Sequence, residues 1–232
     1  MDAVILLSGG LDSAVALALA QPGPRSLALT FDYGQRAARR EVEAARAMAA
    51  RAGIEHRAID LPFLREITRT ALVARSADLP RPEPGALDSE AARETAKAVW
   101  VPNRNGVFIA IAAAHAEAAG LRHVVVGFNR EEGTTFPDNT PEFVACSNAA
   151  LAFSTLAKVK VANPVGKLDK VEIVRKGREA GAPIALVWSC YEGGAEQCGT
   201  CESCRRLFRA LDAAGARAWF DAERAAGAAR AG

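Results

Sequence analysis

The chain has 232 residues, of which half are hydrophobic, and a formal net charge of +2. This length suits one large α/β domain, with or without a small appendage, and the hydrophobic content is enough for a sizeable core. The nearly balanced charge gives no sign of a nucleic-acid partner or of an anionic membrane surface. No signal-like segment precedes the first apolar run, and no apolar stretch reaches the length of a membrane span. We therefore expect a soluble cytoplasmic protein.

The first predicted element is a short apolar strand over residues 3–7. It stops at the Ser-Gly-Gly turn 8–10 and leads into an alanine-rich helix that ends near residue 20. This order of strand, glycine turn and helix aims free backbone N–H groups at an anion, and the helix dipole adds about half a positive charge. Ser13 supplies a further hydroxyl, whereas Asp12 is unusual beside a phosphate unless a cation intervenes. We interpret the stretch as a phosphate-binding loop; the alternative is an ordinary βα turn.

Strand and helix patterns then alternate. A strand is predicted over residues 26–31, a helix over 35–52 and a strand over 55–60. This spacing is typical of βαβ units and a parallel sheet, in which ligands bind at the carboxyl ends of the strands. Asp32 and Arg36 follow the second strand, so they are candidates for the same crevice as the glycine loop. The alternative for these two residues is a turn carboxylate and a solvated cation.

The alternation breaks between residues 61 and 100. The stretch 75–88 is rich in proline and scattered charges and has no periodic apolar pattern. Long irregular segments inside compact domains are typically functional lids or linkers. We therefore treat 75–100 as a mobile lid or an insertion, and the pattern does not decide between the two.

A helix that is apolar nearly all round is predicted over residues 107–119, and such a helix is typically buried at the centre of a domain. The polar turn before it places Arg104 near the helix N-terminus, facing the cleft. A central strand over 123–127 follows.

Three more elements complete the α/β pattern. A helix is predicted over residues 141–156, with Cys146 as a small buried hydrophobe, followed by an edge strand over 158–161 and a helix over 170–180.

Four of the five cysteines lie in one short segment, namely Cys190, Cys198, Cys201 and Cys204. Close spacing in a cytosolic chain favours metal binding over disulfides. Four sulfur ligands with no vacant position are typical of a structural zinc site. Redox chemistry or sulfur transfer by the Cys201–Cys204 pair, and an iron–sulfur cluster, are the alternatives.

The motifs, taken together and in order, resemble those of the 7-cyano-7-deazaguanine synthase family within the PP-loop ATP pyrophosphatases. The resemblance covers nearly the whole chain. Its matching pieces are SGGLDS at 8–13, DYGQR at 32–36 with Glu41, VPNRN at 101–105, FPD at 136–138 with Phe143, KVEIV at 170–174, WSCY at 188–191, and CGTCESC at 198–204 with Arg206.

The resemblance implies a Rossmann-like α/β fold with a parallel sheet, of the adenine nucleotide alpha hydrolase-like PP-loop type. A nucleotide-binding domain would occupy residues 1–186, and a small zinc-binding helical region residues 187–232. The implied enzyme is an ATP-dependent carbon–nitrogen ligase that converts 7-carboxy-7-deazaguanine and ammonia into 7-cyano-7-deazaguanine through an adenylated carboxylate and an amide. It would use ATP, Mg²⁺ and Zn²⁺, act as a homodimer, and need neither nucleic acid nor membrane.

The resemblance also implies roles for individual residues. Nucleotide contacts are expected from Leu7, Ser8, Gly9, Gly10, Leu11, Asp12, Ser13, Asp32 and Arg36. Catalytic roles are expected from Asp12, Ser13, Arg104 and Lys170, and substrate contacts from Arg104, Asn105 and Asp138. The zinc ligands would be Cys190, Cys198, Cys201 and Cys204.

The chain departs from the family pattern in segments that we expect to face the substrate. Ala37 stands where histidine is common, Asn103 where many members have glycine, and Phe136 where tyrosine is frequent. Asn139 and Thr140 replace cysteine and arginine. Two alternatives follow: a PP-loop paralogue that adenylates another carboxylate or a tRNA base, and a nucleotide-binding protein without catalysis.

Overall fold

The structure is a computed structural model that describes residues 1–90, 94 and 97–231, so part of the expected lid lies outside the described residues. The strands and helices are β1 (Val4–Leu6), α1 (Leu11–Ala20), β2 (Leu27–Asp32), α2 (Ala38–Arg51), β3 (Glu55–Asp60), α3 (Pro62–Ile67), α4 (Arg104–Ala118), β4 (His123–Val125), α5 (Arg130–Gly133), α6 (Pro141–Ser154), β5 (Lys160–Ala162), α7 (Lys170–Glu179), α8 (Glu202–Ala213) and α9 (Arg217–Ala231). In the described part of the chain, none of the helices combines the length and the apolar character that a bilayer span needs.

Within the described residues, the five strands form one parallel sheet in the order β3-β2-β1-β4-β5. Val4 of β1 lies opposite Leu27 of β2 and Val124 of β4. The predicted parallel α/β fold is therefore confirmed, with β5 at an edge of the sheet. Because the chain proceeds outward from β1 in one direction and from β4 in the other, the topological switch point lies between β1 and β4. Ligands of such sheets bind outside the carboxyl ends of the strands at this point.

The alternating side chains of β1 divide the core into two layers. Ile5 packs on the face that is covered by α1, α2, α7 and α8, whereas Val4 packs on the face covered by α3, α4 and α6. Both side chains are fully buried. Helices on both faces explain why β1 and β4 read as continuous apolar runs rather than as alternating patterns.

The C-terminal region shares the core of the sheet domain. Leu207 and Leu211 of α8 and Phe220 of α9 are buried in the same apolar cluster as Ile5 and Leu17. The division of the chain at residue 186 stays a prediction, and the two segments pack on one another through this common core.

Two predictions about burial were wrong. Cys146 is exposed on α6, not buried. The helix predicted over 107–119 is buried on one side only, because Ala110 and Ala114 of α4 face solvent. The helix packs on one face of the sheet, so only the side of α4 that faces the sheet is buried. Its apolar composition therefore did not indicate burial on all sides.

Candidate active site

A cavity of about 460 Å³ opens at the carboxyl ends of β1, β2 and β4. A volume of several hundred Å³ is typical of small-molecule sites. The cavity brings together the glycine loop, the start of α4, the turn after α5, the start of α7 and the cysteine-rich segment. The predicted site residues that line it are Leu7, Ser8, Gly10, Leu11, Asp12, Ser13, Arg36, Arg104, Asn105, Asp138 and Lys170.

The glycine loop has a backbone that other residues could not adopt without strain. Gly9 has φ of +80°, and a Cβ atom there would lie 2.6 Å from the main-chain oxygen of Glu41. Gly10 caps α1 without a side-chain hydrogen bond, so the first N–H groups of the helix remain free for a ligand. The Ser13 hydroxyl accepts a hydrogen bond from the Ser8 N–H at 3.2 Å and donates to the Gly10 oxygen at 3.1 Å. These contacts hold the loop open around its N–H groups.

The end of β4 packs directly against this loop. A Cβ atom at Gly127 would lie 2.8 Å from the Asp12 carbonyl carbon and 2.8 Å from the Ser13 nitrogen. Only a glycine allows this approach, which places the residues after β4 beside the glycine loop.

A buried cluster of charges lies at the base of the cavity. The Lys170 ammonium donates to Asp12 Oδ2 and to Glu132 Oε1, each at 2.9 Å. Asn129 Nδ2 also donates to Asp12 Oδ2, at 3.1 Å. Asp12 Oδ1 is buried without a hydrogen-bond partner among the described residues. The structure thus joins the predicted pair Asp12 and Lys170, which are far apart in the sequence.

Burial and charge act in opposite directions on this cluster. Burial raises the pKa of Asp12, although Lys170 opposes the shift. Burial alone would lower the pKa of Lys170, but the charges of Asp12 and Glu132 outweigh it and the pKa is raised. The charge of Lys170 overcomes burial at Glu132, whose pKa is lowered. Lys170 therefore stays protonated, and Asp12 is the carboxylate most sensitive to a change in its partners.

Arg104 lies at the first position of α4 and faces the cavity. Its Nη1 donates to the Tyr33 hydroxyl at 3.0 Å, and the guanidinium lies 5.7 Å from the centre of the Tyr33 ring. Burial would lower the pKa of Arg104, but Tyr33, Asp138 and Glu132 raise it overall. Asn103 before it has φ of +52°. Asparagine is one of the few residues that tolerate this left-handed conformation besides glycine, so this departure from the family pattern preserves the helix start.

Asn105 and Asp138 meet at a short 3₁₀ turn, Pro137–Asn139. Asn105 Nδ2 donates to the main-chain oxygen of Asp138 at 3.2 Å, so its side chain holds the turn. Asn139 Nδ2 donates to Asp138 Oδ1 at 3.0 Å. Burial raises the pKa of Asp138, with Arg104 opposing. Asn139, a departure from the family pattern, thus supports the Asp138 carboxylate.

Arg36 connects the cavity wall to the segment that covers it. One guanidinium nitrogen donates to the main-chain oxygens of Ala74, at 2.8 Å, and of Ala77. Its Nε is buried without a partner among the described residues. Leu87 lies farther along the same segment, and its main-chain oxygen accepts a hydrogen bond from Arg206 Nη2 of α8 at 2.8 Å. The described part of the expected lid is therefore held over the cavity by arginine contacts to its main chain.

Asp32 is not among the residues that line the cavity. Its Oδ1 accepts a hydrogen bond from the Gly34 N–H at 2.9 Å, which closes the turn after β2. The side chain faces a shallow groove beside Arg39 and Arg46. Gly9 also does not line the cavity, because it supports the loop from behind.

Several cavity residues were not among the predicted site residues. Glu132, Tyr191 and Glu202 line the cavity, and Asn129 donates to Asp12 although it does not line the cavity itself. Asn129 and Glu132 lie in a segment without a recognisable phosphate or metal pattern, whereas Tyr191 and Glu202 lie within the cysteine-rich motifs. The one usable signal was position: Asn129 and Glu132 follow β4 at its carboxyl end, where ligands of parallel sheets bind.

The four cysteines converge as predicted. All Sγ atoms of Cys190, Cys198, Cys201 and Cys204 lie within 4.8 Å of one another. Backbone N–H groups donate to two of the sulfurs: Cys198 N to Cys190 Sγ and Cys201 N to Cys198 Sγ, both at 3.3 Å. Four thiol ligands at this separation, with N–H support to the sulfurs, are compatible with a tetrahedral metal such as zinc.

The cysteine knuckle, residues 188–204, contacts the glycine loop directly. The Trp188 N–H donates to the Gly9 oxygen at 2.9 Å. A Cβ atom at Gly193 would lie 2.3 Å from the Arg36 oxygen, so the knuckle also approaches the turn before α2 closely. The cysteine knuckle therefore forms one wall of the candidate active site.

Comparison with known proteins identifies the family. The family model described as queuosine biosynthesis protein QueC matches residues 2–215. The 7-cyano-7-deazaguanine synthase of Pelotomaculum thermopropionicum is 57% identical over 217 residues, which cover 93% of this chain and 98% of that protein. The synthases of Desulforudis audaxviator and Methanosarcina mazei are 53% and 47% identical, over 93% and 91% of this chain and 98% and 94% of theirs. The chain therefore belongs to the QueC family of queuosine biosynthesis proteins.

Proposed function

We propose that this protein is an ATP-dependent ligase that converts 7-carboxy-7-deazaguanine and ammonia into 7-cyano-7-deazaguanine. The observation that carries the proposal is one cavity in which a free helix N-terminus meets Arg104 and Asp138, in a chain that is 57% identical to a synthase of that name. The reaction needs a nucleotide site and a site for an acid within reach of each other, and the cavity offers both.

The glycine loop is proposed to hold the phosphates of ATP. The free N–H groups at the start of α1 and the hydroxyl of Ser8 supply donors, Ser13 braces the loop through Gly10, and Lys170 supplies a positive charge beside them. Arg36, whose Nε is buried and has no hydrogen-bond partner in the part of the chain that the structure describes, is proposed as a further cation on this side of the cavity. Asp32 closes the turn after β2. We propose that it stabilises this turn beside the nucleotide site and does not contact the nucleotide.

A magnesium ion fits the donor set near Asp12. The buried Oδ1 of Asp12 has no partner among the described residues, and Glu132 lies on the other side of Lys170. Hard carboxylate oxygens are the ligands that Mg²⁺ prefers, usually one or two of them together with phosphate oxygens. Asp12 and Glu132 would hold the ion, which would supply charge neutralisation for the departing pyrophosphate.

The proposed chemistry activates one carbon twice. The substrate carboxylate attacks the α-phosphorus of ATP, pyrophosphate leaves, and ammonia displaces AMP from the acyl adenylate to give the amide. A second ATP adenylates the amide oxygen, and loss of AMP and a proton gives the nitrile. Arg104, held by Tyr33, is placed to stabilise the substrate carboxylate and the charge that develops on its oxygens. Lys170 and the α1 N-terminus do the same for the phosphates.

Zinc is proposed as the ion of the cysteine knuckle, in a structural role. The support is the convergence of four sulfur ligands with no vacant position for a substrate. Metal analysis of the purified protein together with its visible spectrum tests the assignment. One zinc per chain and a colourless protein are expected, whereas iron with labile sulfide would contradict it.

A homodimer is proposed, with α6 as the contact between copies. Phe153 and Leu156 are 95% and 98% exposed, beside the exposed Cys146 and Ala149. The chain exposes 11109 Å², against about 10,000 Å² for a monomer of this mass, and a stable dimer buries about 800 Å² per partner. Sedimentation should give a dimer, and Phe153→Lys should give a monomer. A wild-type monomer would contradict the proposal.

The activity test is incubation of the purified protein with ATP, Mg²⁺, ammonium and the carboxy-deazaguanine, with mass-spectrometric detection of the products. We expect the nitrile, formed only when ATP and Mg²⁺ are present, and no product from Asp12→Ala with its metal content unchanged. Release of pyrophosphate with a different acid would instead support a paralogue. Binding of ATP without turnover of any acid would support a non-catalytic protein.

We also propose a cytoplasmic location, where ATP is available and thiolate ligands stay reduced.

A further inference from the structure

Two aromatic rings line the cavity together with the glycine loop. Trp100 precedes the turn to α4, and Phe136 precedes the 3₁₀ turn that carries Asp138. Their ring centroids lie 5.8 Å apart, and the ring planes differ by only 10°. Both side chains are partly exposed, so each ring keeps surface that a ligand could contact. Two rings stacked on one another can present the outer face of one ring, supported from behind by the other, to a planar molecule.

The turn that carries Phe136 is held in place on both sides. The Phe136 N–H donates to the Glu132 oxygen at 2.8 Å, and the Asn139 N–H donates to the Phe136 oxygen at 3.1 Å. Asn105 holds the same turn from α4 through the main-chain oxygen of Asp138. One fixed turn thus presents both an aromatic face and a carboxylate, so their relative position does not depend on a mobile loop.

The chemistry of this pair matches one class of ligand. A fused pyrimidinone that carries an amino group has a flat face and, on one edge, two adjacent N–H donors. A carboxylate accepts two such donors at once, and Asp138, one of whose oxygens already accepts from Asn139, keeps free acceptor positions. Arg104 is positively charged and interacts electrostatically with Asp138. A carboxylate on the opposite side of the bound heterocycle could therefore pair with Arg104.

We infer that Trp100 and Phe136 stack on the heterocycle of the acid substrate and that Asp138 accepts hydrogen bonds from its ring N–H and its amino group. The inference rests on the proposed function and adds the residues that select the substrate. The arrangement directs the carboxylate of the bound molecule away from Asp138, towards Arg104 and the glycine loop. Phe136 in place of tyrosine keeps the same stacking surface.

Stacking is tested by equilibrium titration of the holoprotein with 7-carboxy-7-deazaguanine without ATP, followed by calorimetry. Loss of one stacked ring weakens binding of a base by roughly 5- to 100-fold, which is the effect expected for Trp100→Leu and for Phe136→Leu. Phe136→Tyr should bind as the wild type does. The matched control is Trp219→Leu, because Trp219 packs against Arg178 outside the cavity. ATP affinity, measured in parallel, should change in none of the four variants.

Edge recognition is tested with the analogue that lacks the amino group. The wild type should bind it at least about a hundredfold more weakly than the full substrate, because the Asp138 carboxylate is left without a donor. In Asp138→Asn this ratio should fall to roughly tenfold or less, while ATP affinity stays unchanged. An unaltered ratio in Asp138→Asn, or wild-type affinity in both leucine variants, would overturn the inference.

The outcomes separate this inference from the proposed function. If the wild type neither binds nor converts the acid, the proposed function fails and the inference fails with it. If the wild type makes the nitrile while Trp100→Leu and Phe136→Leu keep its KM, only the inference fails. A rise in KM for the acid in both leucine variants, with KM for ATP unchanged, supports both.

Discussion

Lys170 is the residue whose loss should most affect the stability of the site. Its ammonium lies 2.9 Å from both Asp12 and Glu132, and the side chains of Lys170 and Asp12 are only 10% and 15% exposed. Lys170→Met therefore leaves a buried carboxylate uncompensated, which typically lowers the free energy of unfolding by about 3–5 kcal/mol. Glu132 is 36% exposed, and solvent screens its share. Proton uptake by Asp12 also limits the loss, so we expect the lower end, about 3 kcal/mol.

Urea unfolding followed by circular dichroism measures this difference, and a thermal scan should show a fall in Tm of about 6–12 °C for a chain of this size. The matched control is Lys176→Met on the same helix. Lys176 lies 3.5 Å from Glu179, and these side chains are 56% and 68% exposed, so no measurable change is expected. The double variant Asp12→Asn with Lys170→Met removes the uncompensated charge and should recover most of the lost stability.

Two results would refute the reasoning about this cluster. One is a Lys170→Met protein that unfolds at the same urea concentration as the wild type. The other is a double variant that is no more stable than Lys170→Met alone. Either result would mean that solvent or a rearranged neighbour compensates Asp12, and that the charges at the base of the cavity are not coupled as the distances indicate.

Three further predictions concern the loop, the metal and pH. Gly9→Ala should lower the free energy of unfolding by about 1–2 kcal/mol through left-handed strain and should also weaken ATP binding, because its Cβ would clash with the Glu41 oxygen. Gly120→Ala, with φ of +66° and open space around it, should show the strain alone in urea titrations; equal ATP affinities in the two variants would refute the clash. Chelation of the metal, or Cys201→Ala, should abolish cooperative unfolding in calorimetry, whereas Cys146→Ala should not; an unchanged transition would refute a structural metal. Burial raises the pKa of Glu41 above its usual 4.5, so ionisation destabilises the folded state at neutral pH, and Glu41→Gln should be the more stable protein there. This advantage should fade as pH falls through the raised pKa towards 4.5, and an advantage that grows in acid would contradict it.

The sequence predicted the elements whose local pattern and tertiary role agree. The apolar run of β1, the glycine turn and α1 were placed correctly because a buried parallel strand, a left-handed glycine and a capped helix each leave a local signature. The start of α2 was placed three residues too early. Gln35 is buried in the turn, where its Oε1 accepts from the Tyr33 N–H at 2.9 Å and its Nε2 donates to the Phe31 oxygen at 3.0 Å, so the helix begins only at Ala38.

The sequence predicted which segments of the chain form the site, but it did not predict which side chains contact one another there. Lys170 was placed in the site with Asp12 only through the family resemblance, and nothing local in the sequence indicated that Glu132 completes the cluster. Asp32 shows the limit of the rule that residues at strand ends share one crevice, since it ends β2 and yet lines a separate groove beside Arg39 and Arg46. The exposure of Cys146 was missed because composition does not specify which face of a helix is covered.

The hydrogen bond from the Trp188 N–H to the Gly9 oxygen joins an early part of the chain to a much later one. The strand that carries the glycine loop is central in the sheet, and its neighbour β4 and the knuckle wall are both supplied by later parts of the chain. During synthesis the loop therefore exists for most of the time without the wall against which it packs. On the proposed assignments of zinc and ATP, the nucleotide site is complete only when the four cysteines have closed around their ion, so we expect the supply of metal to set when a newly made chain binds ATP.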